Sequence, residues 1–229
     1  MKFESVKKYI DGTLVIKNQL YELGNGQDIT FVENQQDGTT DKVTVKNRVA
    51  EGKSFFVKEL YVPGVSSQRN RCDIVCGYVD EDNTCRYYLA CDVKRNVSLD
   101  KTILKLCAQW KAALDYLFEL LENEAERNNG EVGVCTATWD EEKLRSELYY
   151  MSYNLEKIKS EVANMPTITR LKVQSELLLR AKDITLMKNC LDRRFLYTLK
   201  DGQVRQYNIQ VYIMDETSDG YATDLVIEA

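Results

Sequence analysis

The sequence predicts a fold of the α+β or α/β class, with a mixed β-sheet core, a long crossover helix and an appended two-helix hairpin. Short runs of β-branched and aromatic residues alternate with Gly, Asn and Asp turns, which is the pattern of strands. A helical apolar pattern at 98–121 is followed by another strand pattern at 131–139. Two further helical patterns then run through 140–193.

Composition limits the classes of protein that the chain can represent. Its 229 residues suffice for one sizeable domain, or for one domain with an appendage. We expect a cytoplasmic protein without membrane contact, because no apolar run reaches spanning length and the first residues do not form a signal peptide. The absence of histidine excludes histidine-activated nucleophiles and histidine metal sites. The net charge of −5 argues against a dedicated nucleic-acid binder.

The N-terminal region reads as β-rich. Strands are predicted at 13–16, 28–32, 42–46 and 55–62, with turns at 24–27 and 35–40 and a polar connector at 65–70. Gly24 and Gly26 precede no helical pattern, so a hairpin turn is the better interpretation than a phosphate-binding loop.

Residues 71–94 are the most informative stretch, with two strand patterns around the acidic turn at 80–84. We expect antiparallel pairing that places Asp73 opposite Asp92. Side chains alternate along a strand, so one face then carries Asp73, Val75, Gly77, Tyr88, Ala90, Asp92 and Lys94. The other face collects Cys72, Ile74, Cys76, Tyr78, Cys85, Tyr87, Leu89, Cys91 and Val93. Because it is almost wholly apolar, this second face is the predicted core face, and a one-residue slip would mix the two.

Asp73, Asp92 and Lys94 outline a site for metal-dependent phosphodiester hydrolysis. Mg²⁺ or Mn²⁺ takes oxygen ligands, so the two aspartates are the predicted metal ligands, with the Val93 carbonyl as a further oxygen. Lys94 would orient or deprotonate the attacking water and offset charge that develops on phosphorus. The alternative is a strand-edge ion pair between Asp92 and Lys94.

At these residues the chain resembles the PD-(D/E)XK nuclease superfamily, which carries an acid on one strand and D/E-x-K on the next. It also resembles a group of small bacterial members found near defence genes. The resemblance covers roughly residues 54–125. It implies a restriction-endonuclease-like fold, with a strand–helix–strand crossover after the hairpin. It also implies cleavage of DNA or RNA within an antiviral or mobile-element conflict complex.

The chain departs from the family pattern at two points. Asp92 stands where members of the superfamily often have Glu. No clear helix with a further acid precedes Asp73, and Glu51 and Glu59 are the nearby candidates for that acid.

A long helix is predicted from the N-cap Ser98 to about residue 128. Its apolar face consists of Ile103, Cys107, Trp110, Leu114, Leu117, Phe118 and Leu121. Lys101, Lys105 and Gln109 lie together near its start, and we expect them to hold a phosphate backbone beside Asp92. The resemblance favours Gln109, since related nucleases often carry a Gln there. For the two lysines the alternative is a solvated helix face.

A boundary near Trp139 separates residues 1–139, a nuclease-like core, from residues 140–229, a helical hairpin plus a C-terminal β-hairpin that can pack on the same domain. The first helix of the hairpin carries a seam of Leu144, Leu148, Met151, Leu155, Ile158 and Val162. The partner helix begins at Pro166 and carries Ile168, Leu171, Leu177, Ile184, Met187 and Leu191. Further apolar residues at 149–150 and 177–179 predict that 140–193 binds a protein partner or a second copy.

Seven cysteines without an export signal indicate reduced thiols. Cys72 and Cys76 have a spacing found in zinc sites, but their place on the apolar face favours buried thiols. The leading hypothesis is therefore a metal-dependent nuclease acting through Asp73, Asp92 and Lys94. The alternatives are a non-catalytic assembly subunit on the same fold, which docks through the helical hairpin, and an unrelated α+β accessory protein.

Overall fold

The computed structural model describes residues 19–50, 53–60, 72–121, 123–164 and 166–228. Within these ranges the chain forms two mixed sheets and four helices, which confirms the predicted mixture of α and β structure. The strands are β1 (Gln19–Leu23), β2 (Asp28–Asn34), β3 (Thr40–Asn47), β4 (Lys53–Leu60), β5 (Cys72–Val79), β6 (Cys85–Val93), β7 (Gly130–Thr136), β8 (Arg194–Thr198), β9 (Val204–Ile213), β10 (Asp215–Thr217) and β11 (Gly220–Ile227). The helices are α1 (Leu104–Leu120), α2 (Glu124–Asn128), α3 (Glu141–Val162) and α4 (Thr167–Leu191). The strand predicted at 13–16, the connector at 65–70 and Glu51 lie outside the described residues.

The larger sheet has seven strands in the order β1-β4-β5-β6-β7-β9-β8. Strands β4, β5 and β6 form an antiparallel meander, and α1 then carries the chain over to β7, which is parallel to β6. This is the predicted strand–helix–strand crossover. The predicted C-terminal hairpin is also present as β8 and β9, and β9 joins the sheet in parallel with β7.

The smaller sheet has four strands in the order β10-β11-β3-β2. Its centre is a parallel pair between β3 and β11, which runs from Thr40 opposite Gly220 to Asn47 opposite Ile227. The last strand of the chain therefore completes a sheet that begins near the N-terminus. The sequence predicts these strands separately but contains no local signal for their pairing.

The central hairpin, β5 and β6, has the predicted register from Ile74 opposite Cys91 to Tyr78 opposite Tyr87. Continued by one residue, that register places Asp73 opposite Asp92. The prediction of a single core face is wrong, because both faces of the hairpin are buried. A helix-side core contains Val75, Tyr88, Ala90, Trp110, Leu114, Val132 and Val134. A sheet-side core contains Ile74, Cys76, Leu89, Cys91, Val93, Phe31, Val43, Val45 and Leu225.

Two cysteines leave the face on which the sequence places them. The hairpin register shifts between Tyr78 and Val79, so that Val79 lies opposite Cys85. A bulge of this kind adds a residue to one strand and reverses the alternation of side chains beyond it. Cys85 consequently packs in the helix-side core, and Cys72 at the other end of the hairpin does so too.

The crossover helix begins where the sequence predicts, immediately after Ser98. The Ser98 side chain does not cap the helix; its carbonyl instead accepts the N–H groups of Thr102 and Ile103, both at 3.1 Å, which gives a π-helical turn over Leu99–Ile103. The predicted apolar face is confirmed, since Ile103, Cys107, Trp110, Leu114, Leu117 and Leu121 are all buried.

The prediction of one continuous helix as far as residue 128 is wrong. Helix α1 ends at Leu120, Leu121 is extended, and α2 starts from a capping box between Asn123 and Glu126. The buried Glu126 carboxylate also accepts the Cys85 N–H at 2.9 Å. The break therefore satisfies a backbone donor of the central hairpin, which a continuous helix could not reach.

Helices α3 and α4 form the predicted hairpin. Leu144, Leu148, Leu155 and Val162 of the α3 seam are buried, and so are Leu177, Met187 and Leu191 of α4. Asp140 caps α3 by accepting the Lys143 N–H at 3.0 Å. The prediction fails at Leu171, which is 65% exposed, because Leu171 lies two turns before the exposed Leu178 on the same outer face of α4, whereas Val173 and Leu177 face α3. No helix in the described ranges is long and apolar enough to cross a membrane.

Candidate functional site

The predicted cluster lies at one end of the central hairpin. Asp73 is the second residue of β5, Asp92 is the last but one of β6, and Lys94 follows β6 directly. Strand β6 lies between β5 and β7, and the Lys94 N–H donates to the Cys135 carbonyl at 2.8 Å. Backbone pairing on both sides therefore fixes the strand from which Asp92 and Lys94 project.

The structure brings the three side chains together around one cation, the ammonium of Lys94. Its Nζ atom lies 3.0 Å from Oδ2 of Asp73, 3.2 Å from Oδ1 of Asp92 and 2.9 Å from the Val93 carbonyl oxygen. Asp73 Oδ2 also accepts the Val93 N–H at 2.8 Å. The sequence predicts these same three groups as metal ligands.

The cluster is largely withdrawn from solvent. The side chains of Asp73 and Lys94 are 18% and 16% exposed, and that of Asp92 is fully buried. While Oδ1 of Asp92 contacts Lys94, Oδ2 accepts no hydrogen bond from any described residue. An unsatisfied buried carboxylate oxygen is unfavourable, so the site has unused capacity to bind a donor or a cation.

Charge and burial act in opposite directions in this cluster. Burial, and then the charge of Asp73, raise the pKa of Asp92 well above its usual value, although Lys94 opposes this. Burial alone would lower the pKa of Lys94, but Asp92 and Asp73 outweigh it and the pKa is raised. Burial and Asp73 therefore favour the protonated form of Asp92, and Lys94 supplies the positive charge that favours its ionised form.

Glu33 on β2 is a further acid near the cluster, and the sequence pattern does not predict it. Burial, followed by the charges of Asp73 and Asp41, raises the pKa of Glu33, whereas Lys94 and Lys105 act to lower it. No hydrogen bond or ion pair joins Glu33 to another described residue. One signal could have revealed it, since Glu33 continues the inward-facing row of Ile29 and Phe31 along β2.

A clamp between Arg95 and Asp41 connects the small sheet to the site. The Arg95 guanidinium lies 2.8 Å from the fully buried Asp41 and 2.8 Å from Asp37. Gln35 donates a further hydrogen bond to Asp41 at 2.7 Å. Asp41 lies opposite Glu33 in the small sheet, and Arg95 is the next residue after Lys94. The clamp therefore also fixes the position of Glu33 relative to Lys94.

The predicted phosphate-binding residues differ in their exposure. Lys101 and Lys105 are exposed at the start of the crossover helix. Gln109 is only 4% exposed, which leaves the two lysines as the members of this group that face solvent. Of the two candidates for a further acid before Asp73, Glu59 lies in β4. The role of Lys101, Lys105 and Gln109 stays a prediction.

The oxygen donors of the site fit Mg²⁺ or Mn²⁺. Among the described residues, no three His, Cys, Asp or Glu side chains are grouped so that they could hold a metal ion. Mg²⁺ usually takes one or two protein carboxylates and completes its shell with water and substrate phosphate. Asp73, Asp92 and the Val93 carbonyl can meet that requirement.

The cysteines do not form a comparable centre. All seven are free thiols, not disulfides, and all seven are buried. Cys72 and Cys76, which have zinc-like spacing, lie in different cores, because Cys72 packs on the helix side of the sheet and Cys76 on the other.

The chemistry of this site is thus that of two aspartates and one lysine at the end of a buried strand pair, with two exposed lysines on the helix that follows. Comparison of the chain with protein-family models, with curated proteins and with solved structures found no match.

Proposed function

We propose that the protein is a Mg²⁺- or Mn²⁺-dependent nuclease that hydrolyses DNA or RNA at Asp73, Asp92 and Lys94. The observation that carries the proposal is the convergence of two carboxylates and the Val93 carbonyl on one cation position. Beside it lies the second Asp92 oxygen, fully buried and without a hydrogen-bond donor among the described residues.

Each residue has a defined task in this proposal. Asp73 and Asp92 would hold the divalent cation, which would supply Lewis-acid chemistry when bound. Lys94 stabilises negative charge that develops on the scissile phosphate. Lys101 and Lys105, exposed at the start of the crossover helix, bind the backbone phosphates on either side.

The order of elements supports the proposal. Asp73 and the Asp-x-Lys sequence stand on adjacent antiparallel strands, and the chain then crosses through α1 to a parallel strand. The resemblance to the PD-(D/E)XK superfamily implies that arrangement and a restriction-endonuclease-like fold. It also favours a role within a bacterial antiviral or mobile-element conflict complex, where a basic partner would offset the net charge of −5.

The test compares metal-dependent cleavage of single- and double-stranded DNA and RNA by wild type, Asp73→Asn, Asp92→Asn and Lys94→Ala. Each variant should lose about 10²–10³ in rate, because an amide is a poor metal ligand and alanine carries no charge. Asp80→Asn is the matched control, since Asp80 lies at the other end of the same hairpin and pairs with Arg86. Circular dichroism would show that the variants are folded. Equal cleavage by wild type and all three variants would refute the proposal.

One observation favours the alternative of a non-catalytic assembly subunit. The helical hairpin exposes six large apolar side chains, namely Tyr149, Tyr150, Tyr153, Leu171, Leu178 and Leu179, each between 59% and 67% exposed. Several exposed large apolar groups on one pair of helices are a feature of protein contact surfaces, and the rings of Tyr149 and Tyr150 lie against each other. This alternative predicts that Asp92→Asn keeps full biological activity and that charged substitutions on the hairpin abolish it.

A further inference from the structure

The cation position of the site is filled by a side chain of the protein itself. Lys94 Nζ contacts Asp73, Asp92 and the Val93 carbonyl within 3.2 Å. A Mg²⁺ ion would approach the same oxygens to about 2.0–2.1 Å. A divalent ion there would lie within a few ångströms of the ammonium, where like charges repel strongly at low dielectric. Ammonium and metal therefore exclude each other from this position.

We propose that Lys94 is a tethered competitor of the metal, whose ammonium holds the two aspartates in the metal-free protein and must leave them before a divalent cation can bind. The inference rests on the proposed function and describes how the same site admits its metal. It assigns Lys94 two positions, one between the aspartates and one beside the bound cation.

The surroundings provide a destination for the displaced ammonium. Glu33 is a further acid whose charge interacts with that of Lys94, and no ion pair joins it to a described residue. A lysine stem has four carbons and carries three rotatable donors, so we infer that the displaced ammonium turns toward Glu33 while the strand stays in place. In this second position Lys94 would remain available to the substrate phosphate.

The surroundings of Lys94 restrict which of its parts can move. Its side chain is only 16% exposed, and its backbone is held to Cys135. Only the side chain is therefore free to change partners. Removing the ammonium should tighten metal binding, because a hydrogen bond to a charged group contributes a factor of about 10–100 to an equilibrium.

The experiment is a Mn²⁺ titration of the full chain without nucleic acid, followed by calorimetry or by the electron paramagnetic resonance signal of free Mn²⁺. Lys94→Met and Lys94→Gln should bind Mn²⁺ about 10–100-fold more tightly than wild type. The glutamine amide can still donate to the aspartates, so this variant keeps the strand end hydrogen-bonded. Glu33→Gln should bind Mn²⁺ more weakly, because the ammonium loses its alternative partner. Lys111→Met, which removes an exposed lysine paired with Asp115, is the charge-matched control and should bind as wild type does.

The outcomes separate this inference from the proposed function. If wild type binds Mn²⁺ and both Lys94 variants bind it equally or more weakly, the competitor role is wrong and the nuclease proposal stands. If neither wild type nor the Lys94 variants bind Mn²⁺, both are wrong. Tighter binding by the Lys94 variants together with weaker cleavage supports both.

Discussion

Arg95 and Asp41 form an ion pair, with Nη2 of Arg95 2.8 Å from Oδ1 of Asp41, that joins the two sheets at the candidate site. Arg95 is the next residue after Lys94, and Asp41 lies opposite Glu33 in the small sheet. The Arg95 guanidinium also lies over the ring of Tyr221, 5.2 Å from its centroid, on the strand at the other side of β3. One side chain therefore contacts both the end of β6 that carries the candidate site and the strand opposite Glu33.

Replacement of Arg95 by Met should lower stability and impair the site together. The substitution leaves the fully buried Asp41 carboxylate with Gln35 but without its cation, which is strongly unfavourable for a buried charge. The denaturant midpoint should fall, and the double variant Arg95→Met/Asp41→Leu should recover part of the loss. Arg48→Met is the control, because Arg48 pairs with Asp28 at the exposed surface and its loss should hardly move the midpoint. Equal effects of the two single substitutions would contradict the role given to Asp41.

Glu33→Gln should stabilise the protein near neutral pH. Burial, followed by Asp73, raises the native pKa of Glu33 above its ordinary value of 4.5. As pH rises from 4.5 to the raised native pKa, the unfolded chain releases this proton first, so the free energy of unfolding falls across that window. Glutamine does not ionise, so the variant does not show this decrease in the free energy of unfolding. Urea unfolding near neutral pH should favour the variant, and the difference should vanish well below pH 4.5. A gain that persists at low pH would show that charge is not its cause.

The local pattern of the sequence predicts the central hairpin correctly and for a clear reason. Alternation sets Asp73 and Asp92 on one face, and a turn of acidic residues sets the register. The pattern cannot show that a second sheet covers the cysteine face, because that sheet depends on pairing β3 with β11, far apart in the chain. For the same reason Glu33 stays hidden, since its closeness to Asp73 is produced by packing between sheets.

Two other differences arise from contacts that a helical or strand period does not encode. The bulge at Tyr78 and Val79 moves Cys85 to the other core. The end of α1 at Leu120 depends on Glu126, whose carboxylate must reach the Cys85 backbone. Both differences concern the Cys85 end of β6, and neither disturbs the geometry of the aspartates at the other end of the hairpin.

The cysteines should resist modification in the native protein. All seven are buried, and burial raises the pKa of Cys76 and of Cys85 to about 12, so reactive thiolate is scarce. A thiol reagent at mildly alkaline pH should react slowly with native protein and promptly with seven groups in denaturant. Prompt reaction of one thiol in the native protein would show that part of a core opens readily.

Gly130→Ala should destabilise the large sheet, with Gly133→Ala as its control on the same strand. A Cβ atom at Gly130 would overlap the ring of Tyr88, whose hydroxyl donates to the Arg127 carbonyl at 2.8 Å. Displacing a packed core ring of this kind costs about 1–3 kcal/mol. At Gly133 the nearest atoms lie 3.2 Å or more away, so the effect should be smaller. Thermal unfolding of the two variants would show the difference, and equal losses would contradict this account of Gly130.

Leu177 and Leu178 should separate the stability of the helical hairpin from its association. Leu177 is 7% exposed and packs with Leu155 and Val162, whereas its neighbour Leu178, about 100° further around α4, is 66% exposed. Leu177→Ala should lower the free energy of unfolding by about 2–5 kcal/mol, because it opens a cavity in the seam. Leu178→Lys should change that free energy by less than about 0.5 kcal/mol, yet weaken any association through the hairpin, because a charge then stands among the exposed leucines. Sedimentation of wild type and of Leu178→Lys, alone and with copurifying proteins, measures this effect. Identical sedimentation of the two proteins in every mixture would exclude the outer face of α4 as a contact surface.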